Sequence, residues 1–340
     1  MNTLPASVLA RLDAFRFPHA TRAERAAHKE WLHFCIHGPG IDTIVNFSVT
    51  GGPEGEARAQ VTALVREEQW DGDVEVHGED EVVLRRDRLG ATFGKNRLEI
   101  SGERYELAVT LADRPISMAL SLRPTTLPLS KRQFALGSAG SLHWLLVPRL
   151  VASGTVVVSG RTHRFEGAPA YHDHNWGRFA WGGDFAWEWG YGLSASATSP
   201  WSVVFSRLAD RGHHEVRTQA LLLWKGAKLD RVLASRDIVV QEEGYLRPRR
   251  VFKVPRVMAL LAPETATDVP RRLDIRAAAE GDELHLGFEA EEVAQIIVPN
   301  DHDLGITIIN EIRGFLRLSG VVRGERVFME GHAIFERVTA

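Results

Sequence analysis

With one cysteine in 340 residues, Cys35, the chain has no pair of thiols from which to close an internal disulfide. Set between Phe34 and Ile36, that thiol reads as a small buried apolar group rather than as a nucleophile. No apolar run approaches the ~20 residues that span a bilayer as a helix. The longest candidate, LHWLLVPRLVASGTVVV, is interrupted by His143, Pro148 and Arg149. The first residues, MNTLPASVLARLDAFRF, lack the long apolar core of a secretion signal, and a cytoplasmic location is the expectation. An excess of one charge is missing too. Lys plus Arg number 41 against 44 Asp plus Glu, a formal net charge of −3 with no basic block, so no nucleic-acid partner is expected. Asn46-Phe47-Ser48 matches a glycosylation sequon but lies within a strand-like run, and is read as chance.

Two common catalytic signatures are absent as well. There is no G-x-S-x-G elbow; Gly137-Ser138-Ala139-Gly140-Ser141 has the composition but not the order, and reads as a loop. No glycine-rich phosphate loop follows a strand and opens a helix.

What the chain does have is alternation. A short helical start, from Ala6 to Phe15 and again after a Thr21 N-cap, gives way to period-two patterns. Tyr105, Leu107, Val109 and Leu111 share one face of a run; Ile116, Met118, Leu120 and Leu122 share another; Leu284, Leu286 and Phe288 a third. Gly94-Lys95-Asn96, Ser101-Gly102, Ser159-Gly160 and Arg323-Gly324 sit where hairpins would reverse. An all-β, antiparallel barrel or sandwich is expected. The length suits two domains, and a weak repeat divides them: GRTHRFEGAPAYHD from Gly160 parallels GERVFMEGHAIFER from Gly324, and Glu30-Trp31 parallels Glu188-Trp189. The expected boundaries are a helical segment at 1–27 and β domains at 28–180 and 181–340. In that alignment Asp173 falls opposite Arg337 and His172 opposite Glu336, so the first half carries chemistry the second lacks.

That chemistry is concentrated in Tyr171-His172-Asp173-His174-Asn175-Trp176-Gly177, at the end of a strand-like run. Six of the nine tryptophans lie between 176 and 224, which argues for an aromatic-walled cavity or core nearby. Asp173 is the candidate general acid, since burial among aromatics raises a carboxyl pKa and indole faces stabilise a cation. Its competing reading is an Asp that ties the loop down through backbone hydrogen bonds. His172-x-His174 on a strand also resembles the first ligand pair of a cupin metal site. Cupins place a Glu a few residues on, where this chain has Gly177, Arg178 and Phe179, so no metal is expected. His143 and Trp144 precede the run and are candidates to line the same cavity. The segment RPRRVFKVPRVMALL, residues 247–261, mixes cations with apolar residues and is compatible with transient contact at a membrane surface.

The run from Gly167 to Gly177, G-x-x-A-Y-H-D-H-N-W-G, resembles the signature of the hydroxyneurosporene-synthase (carotenoid 1,2-hydratase) superfamily. AttH-like proteins and lipocalin-like cyclases that promote Diels–Alder reactions belong to it as well. Glu30-Trp31, Glu188-Trp189 and the closing Glu330–Phe335 segment match its layout, so the resemblance covers most of the chain from about residue 28. It implies two lipocalin-like β domains, a lipophilic small-molecule substrate near their junction, and neither metal nor organic cofactor. It implies that Asp173 donates a proton to an isoprenoid double bond and that water captures the cation, with Tyr171 carried over beside it. His172, where the hydratases tend to have an aromatic, departs from that pattern and leaves the cyclase branch open. The expected site is then Asp173 with His172, His174 and Tyr171 as catalytic groups. Asn175, Trp176, Trp181, Trp187, Trp144, His143 and Trp31 would bind substrate. A non-catalytic lipid carrier is the reading of another class.

Overall fold

The computed structural model describes residues 4–52, 54–137, 140–196, 199–247, 251–261 and 268–339, and among these described residues the alternating runs become twenty-two strands. Two compact units, Met1–Ala180 and Trp181–Ala340, make up the chain. Ser138, Ala139 and positions 248–250 lie outside the described residues.

The first unit opens with α1 (Ala6–Leu12) and α2 (Arg22–Arg25). The first helix is shorter than its sequence suggests, because Asp13 leaves it and turns fully inward. The second is four residues long. Thr21 accepts the Glu24 backbone N–H and the Glu24 carboxylate accepts the Thr21 N–H, a complete capping box. Strand replaces helix at His28. The strands are β1 (His28–Gly38), β2 (Ile41–Gly51), β3 (Ala57–Arg66), β4 (Trp70–His77), β5 (Val82–Leu84), β6 (Gly90–Phe93), β7 (Asn96–Ser101), β8 (Arg104–Thr110), β9 (Ile116–Pro124), β10 (Leu129–Leu136), β11 (Gly140–Val158) and β12 (Arg161–Arg178). Their order is β4-β3-β2-β1-β12-β11-β9-β8-β7-β6-β5, with β10 beside β11.

The second unit holds β13 (Ala186–Leu193), β14 (Trp201–Ala209), β15 (Val216–Lys225), β16 (Lys228–Ala234), β17 (Ile238–Tyr245), β18 (Phe252–Val254), α3 (Arg256–Leu261), β19 (Pro270–Ala279), β20 (Asp282–Pro299), β21 (Ile306–Val322) and β22 (Glu325–Thr339). Its order, β16-β15-β14-β13-β22-β21-β20-β19-β17, repeats the first: each unit's opening strand lies between its second and its last. Each unit has its own apolar core. Of the 247–261 segment, β18 pairs parallel with β20, and α3 leaves Val257 and Leu260 exposed. No helix among the described residues is long and apolar enough to cross a membrane.

The last hairpin of each unit turns on two left-handed residues, Ser159-Gly160 (φ 50° and 81°) and Arg323-Gly324 (φ 52° and 77°). That pair matches the right-handed twist of the strands it joins. Beyond the turns the two hairpins differ. β11 and β12 change register between Ala152 and Gly154 and again between Val147 and Leu150, each a bulge with one extra residue on one strand. Glu30 lies opposite Trp176 on β12, whereas Glu188 lies opposite Arg337 on β22. Register thus equates Trp176, not Asp173, with Arg337.

Candidate active site

β12 is held between β1 and β11, so the segment 171–177 has a paired strand on both sides. Gly177 ends it for a steric reason: a Cβ there would sit 2.0 Å from the Ser141 carbonyl oxygen. Successive residues of a strand point to opposite faces. That rule divides the segment into two sets, and only one of them contains Asp173.

Tyr171, Asp173 and Asn175 share one face. The Tyr171 hydroxyl donates to Asp173 Oδ2 at 3.0 Å and the Asn175 amide donates to Oδ1 at 2.9 Å. All three are buried, Asp173 being 3% exposed. The neighbouring strands complete a polar and aromatic patch. Trp31 on β1 and Trp144 on β11 lie directly opposite Asn175, and His33 lies opposite Asp173. His33 Nε2 is 3.0 Å from Cys35 Sγ. Burial, helped by the charge on His172, lowers the His33 pKa to about 3, so its ring is neutral at ordinary pH.

His172, His174 and Trp176 share the other face, toward the core of the unit, where His172 stacks on Phe34 at 4.1 Å. Both histidines, expected as catalytic groups with Asp173, thus lie on the face of β12 opposite to it. Their partners are instead Asp13 and Glu30. His172 donates through Nδ1 to the His33 carbonyl (2.9 Å) and through Nε2 to Asp13 Oδ2 (2.8 Å). His174 donates to Asp13 Oδ1 and Glu30 Oε1, both at 2.8 Å. Tyr105 donates to Asp13 at 2.7 Å, and the backbone N–H groups of Arg16 and Phe17 donate to Glu30 at 2.6 and 2.8 Å. Burial alone would raise both carboxyl pKa values. The charge and hydrogen bonds of His172 and His174 outweigh it and hold Asp13 well below the usual range. Hydrogen bonds from His174 and His28 do the same for Glu30, lowering it to about 2. Against burial, the bonds of His174 to Asp13 and Glu30 and the charges of those carboxylates raise its own pKa. Two carboxylates facing doubly donating imidazoles form a satisfied buried network that ties residues 13–17 to β1 and β12.

Among the described residues no three His, Cys, Asp or Glu side chains converge on an ion position. Trp176 stacks with His143 at 5.3 Å and 4° on its own face, apart from Trp31 and Trp144. Trp181 and Trp187 belong to the second unit, their ring centres 5.6 Å apart.

Trp187 leads to an acid that sequence reading passes over. Its indole N–H donates to Glu336 Oε1 on β22, and Glu311, directly opposite on β21, shares a hydrogen bond with the same carboxyl. Burial, partly offset by those two bonds, raises the Glu336 pKa to about 7. A hydrogen bond between two carboxyls requires a proton between them, and the raised Glu336 pKa means that the pair gives this proton up only as pH rises through about 7. In the sequence Glu336 is one more charged residue of an alternating strand; only its strand partners reveal that it is buried. Glu188, equated by the repeat with Glu30, is engaged instead with Arg337 at 2.6 Å and Arg207 at 3.1 Å.

No protein-family model matches the sequence, and no curated protein does. Solved structures match over nearly its whole length. An AttH-like protein from Nitrosomonas europaea aligns with a TM-score of 0.66 at 11% identity, over 97% of this chain and 98% of its own. Kievitone hydratase from Nectria haematococca gives 0.58 at 12%, over 96% and 95%. CghA, solved with Sch210972, gives 0.58 at 13%, over 92% and 88%. At such identities the likeness is one of fold, and the chain has the all-β, two-unit lipocalin-like fold of these three proteins.

Proposed function

We propose that the chain is an enzyme that needs no organic cofactor and hydrates a carbon–carbon double bond of a lipophilic substrate, with Asp173 as the proton-handling group. The observation that carries this reading is the arrangement of Tyr171, Asp173 and Asn175, with Trp31 and Trp144 opposite Asn175. A protonated Asp173 donates to the alkene carbon and becomes a carboxylate. The Tyr171 hydroxyl and Asn175 amide then bind that carboxylate more strongly than the neutral acid, so their bonds tighten as the proton leaves. The indole faces favour the cation formed on the substrate. Water adds to that cation and returns a proton to Asp173, which regenerates the acid. A hydratase has this fold, and the resemblance carried by residues 167–177 extends to lipocalin-like cyclases, which together support an enzyme of the hydratase or cyclase kind.

Cyclisation is the second reading, favoured by His172, which departs from the hydratase pattern. There the same hydroxyl and amide donors would activate a carbonyl while Trp31 and Trp144 order the substrate. The experiment is mass spectrometry of a lipid extract of the source organism after incubation with the protein or its Asp173→Asn variant. A product heavier by one water, made only by the unaltered protein, supports hydration. A product of equal mass and altered retention assigns cyclisation instead. A lipid retained unchanged by both proteins replaces the enzyme reading with that of a carrier.

A further inference from the structure

We propose that the cleft between α1 and the Trp176 face of β12 is a separate binding site for a flat, apolar carboxylate. The cleft measures about 610 Å³ and is lined by Val8, Arg11, Leu12, Arg16, His143 and Trp176. That volume lies within the roughly 300–1,000 Å³ of small-molecule sites. It faces away from Asp173, because Trp176 and Asp173 are on opposite sides of the same strand.

The shape of the ligand follows from the floor. Trp176 and His143 lie nearly parallel, 4° apart with ring centres at 5.3 Å, and the Arg16 guanidinium carbon stands 4.9 Å from the Trp176 ring centre. Both supports are fixed. Arg16 donates to the carbonyl oxygens of Leu12 and Arg11 at 2.5 and 3.5 Å, at the end of α1. His143 Nδ1 accepts the backbone N–H of Gln133 at 3.2 Å, so the ring proton is on Nε2. Gln133 can point its N–H there because the β10 register breaks between Lys131 and Phe134 and its φ is 60°. Val8 and Leu12 give the wall an aliphatic surface.

The charge of the ligand follows from the lining, which has two guanidinium groups and no carboxylate. Among the described residues the exposed Arg11 side chain makes no hydrogen bond or ion pair, which leaves its planar fork for a carboxylate. The wall that presents Arg11 is in place beforehand, since the Asp13 and Glu30 network holds the chain just after α1.

Calorimetric titration of the full chain with 2-naphthoate and with 2-naphthamide, of the same shape but uncharged, tests the site. Saturable 1:1 binding of naphthoate, about tenfold tighter than the amide, is expected. Arg11→Gln should remove most of that difference, the Arg16 charge remaining, and leave amide binding unchanged, and the exposed position spares the fold. Trp176→Leu, checked for an unchanged circular dichroism spectrum, should weaken both ligands. Asp173→Asn should alter neither, which keeps this site distinguishable from the proposed catalytic one. Equal affinity for acid and amide, no saturable heat with naphthoate, or an Arg11→Gln variant that binds as the unaltered protein does would each overturn the proposal.

Discussion

Asp13, the residue that ends α1, accepts a 2.8 Å hydrogen bond from His172 of β12, 159 positions along the chain. Both side chains are fully buried. The bond is part of what fixes the N-terminal segment to the sheet, together with the Tyr105 and His174 bonds to the same carboxylate. Asp13→Asn keeps the shape and removes the charge, leaving two donating imidazoles short of a counter-ion. A loss of about 3–5 kcal/mol in unfolding free energy is expected, as for the breaking of a buried ion pair. Urea denaturation measures it, and a loss below about 1 kcal/mol, the scale of an exposed pair, would mean the network is not a charged one.

His33 gives the protein a pH dependence that its sequence does not announce. Its pKa drops from 6.5 to about 3 on folding, chiefly through burial, so the unfolded chain binds the proton more tightly. The stability it contributes is present above pH 6.5 and is lost as pH falls from there through about 3. In that window the unaltered protein should lose about 1.4 kcal/mol per pH unit relative to His33→Gln. Parallel stability curves for the two proteins between pH 6.5 and 4 would show that the His33 ring is protonated in the fold.

The strands and hairpins were legible because their causes are local. Tyr105, Leu107 and Val109 alternate toward one core, and Ser159-Gly160 marks a turn whatever surrounds it. The chemistry of residues 171–177 was legible as a concentration but not as an arrangement. Polar His172 and His174 occupy core positions, so the segment shows no apolar alternation and its two faces are disguised. What makes those positions tenable is Asp13 and Glu30, 161 and 144 residues from His174. Periodicity within a window cannot report partners at such separations. The same limit hid Glu336, whose neighbours Glu311 and Trp187 come from two other strands.

Tyr171→Phe separates positioning from packing at the proposed catalytic acid. The ring stays in place and Asp173 loses one of its two donors from β12. If those donors stabilise the carboxylate formed on proton transfer, turnover should fall roughly ten- to a hundredfold with KM little changed, by analogy with removal of an oxyanion donor. Kinetics on the product identified by mass spectrometry read this directly. An unaltered kcat beside a lowered melting temperature would assign Tyr171 to packing alone.

Glu336 should act in the sense opposite to His33. Its pKa rises from 4.5 to about 7 on folding, through burial that its bonds from Trp187 and with Glu311 only partly offset. The folded protein then holds a proton that the unfolded chain has released. The stability contributed by Glu336 is complete below pH 4.5 and is lost as pH rises through about 7. Glu336→Gln replaces the protonated acid with a neutral side chain of the same size and removes that dependence. Between pH 4.5 and 7 the unaltered protein should weaken relative to the variant by roughly 1.4 kcal/mol per pH unit. Above pH 7 the difference should level off, with the variant the more stable of the two relative to their order at pH 4.5. A difference that stays flat with pH would mean that the proton between Glu311 and Glu336 is absent, and that Glu336 is ionised behind Trp187.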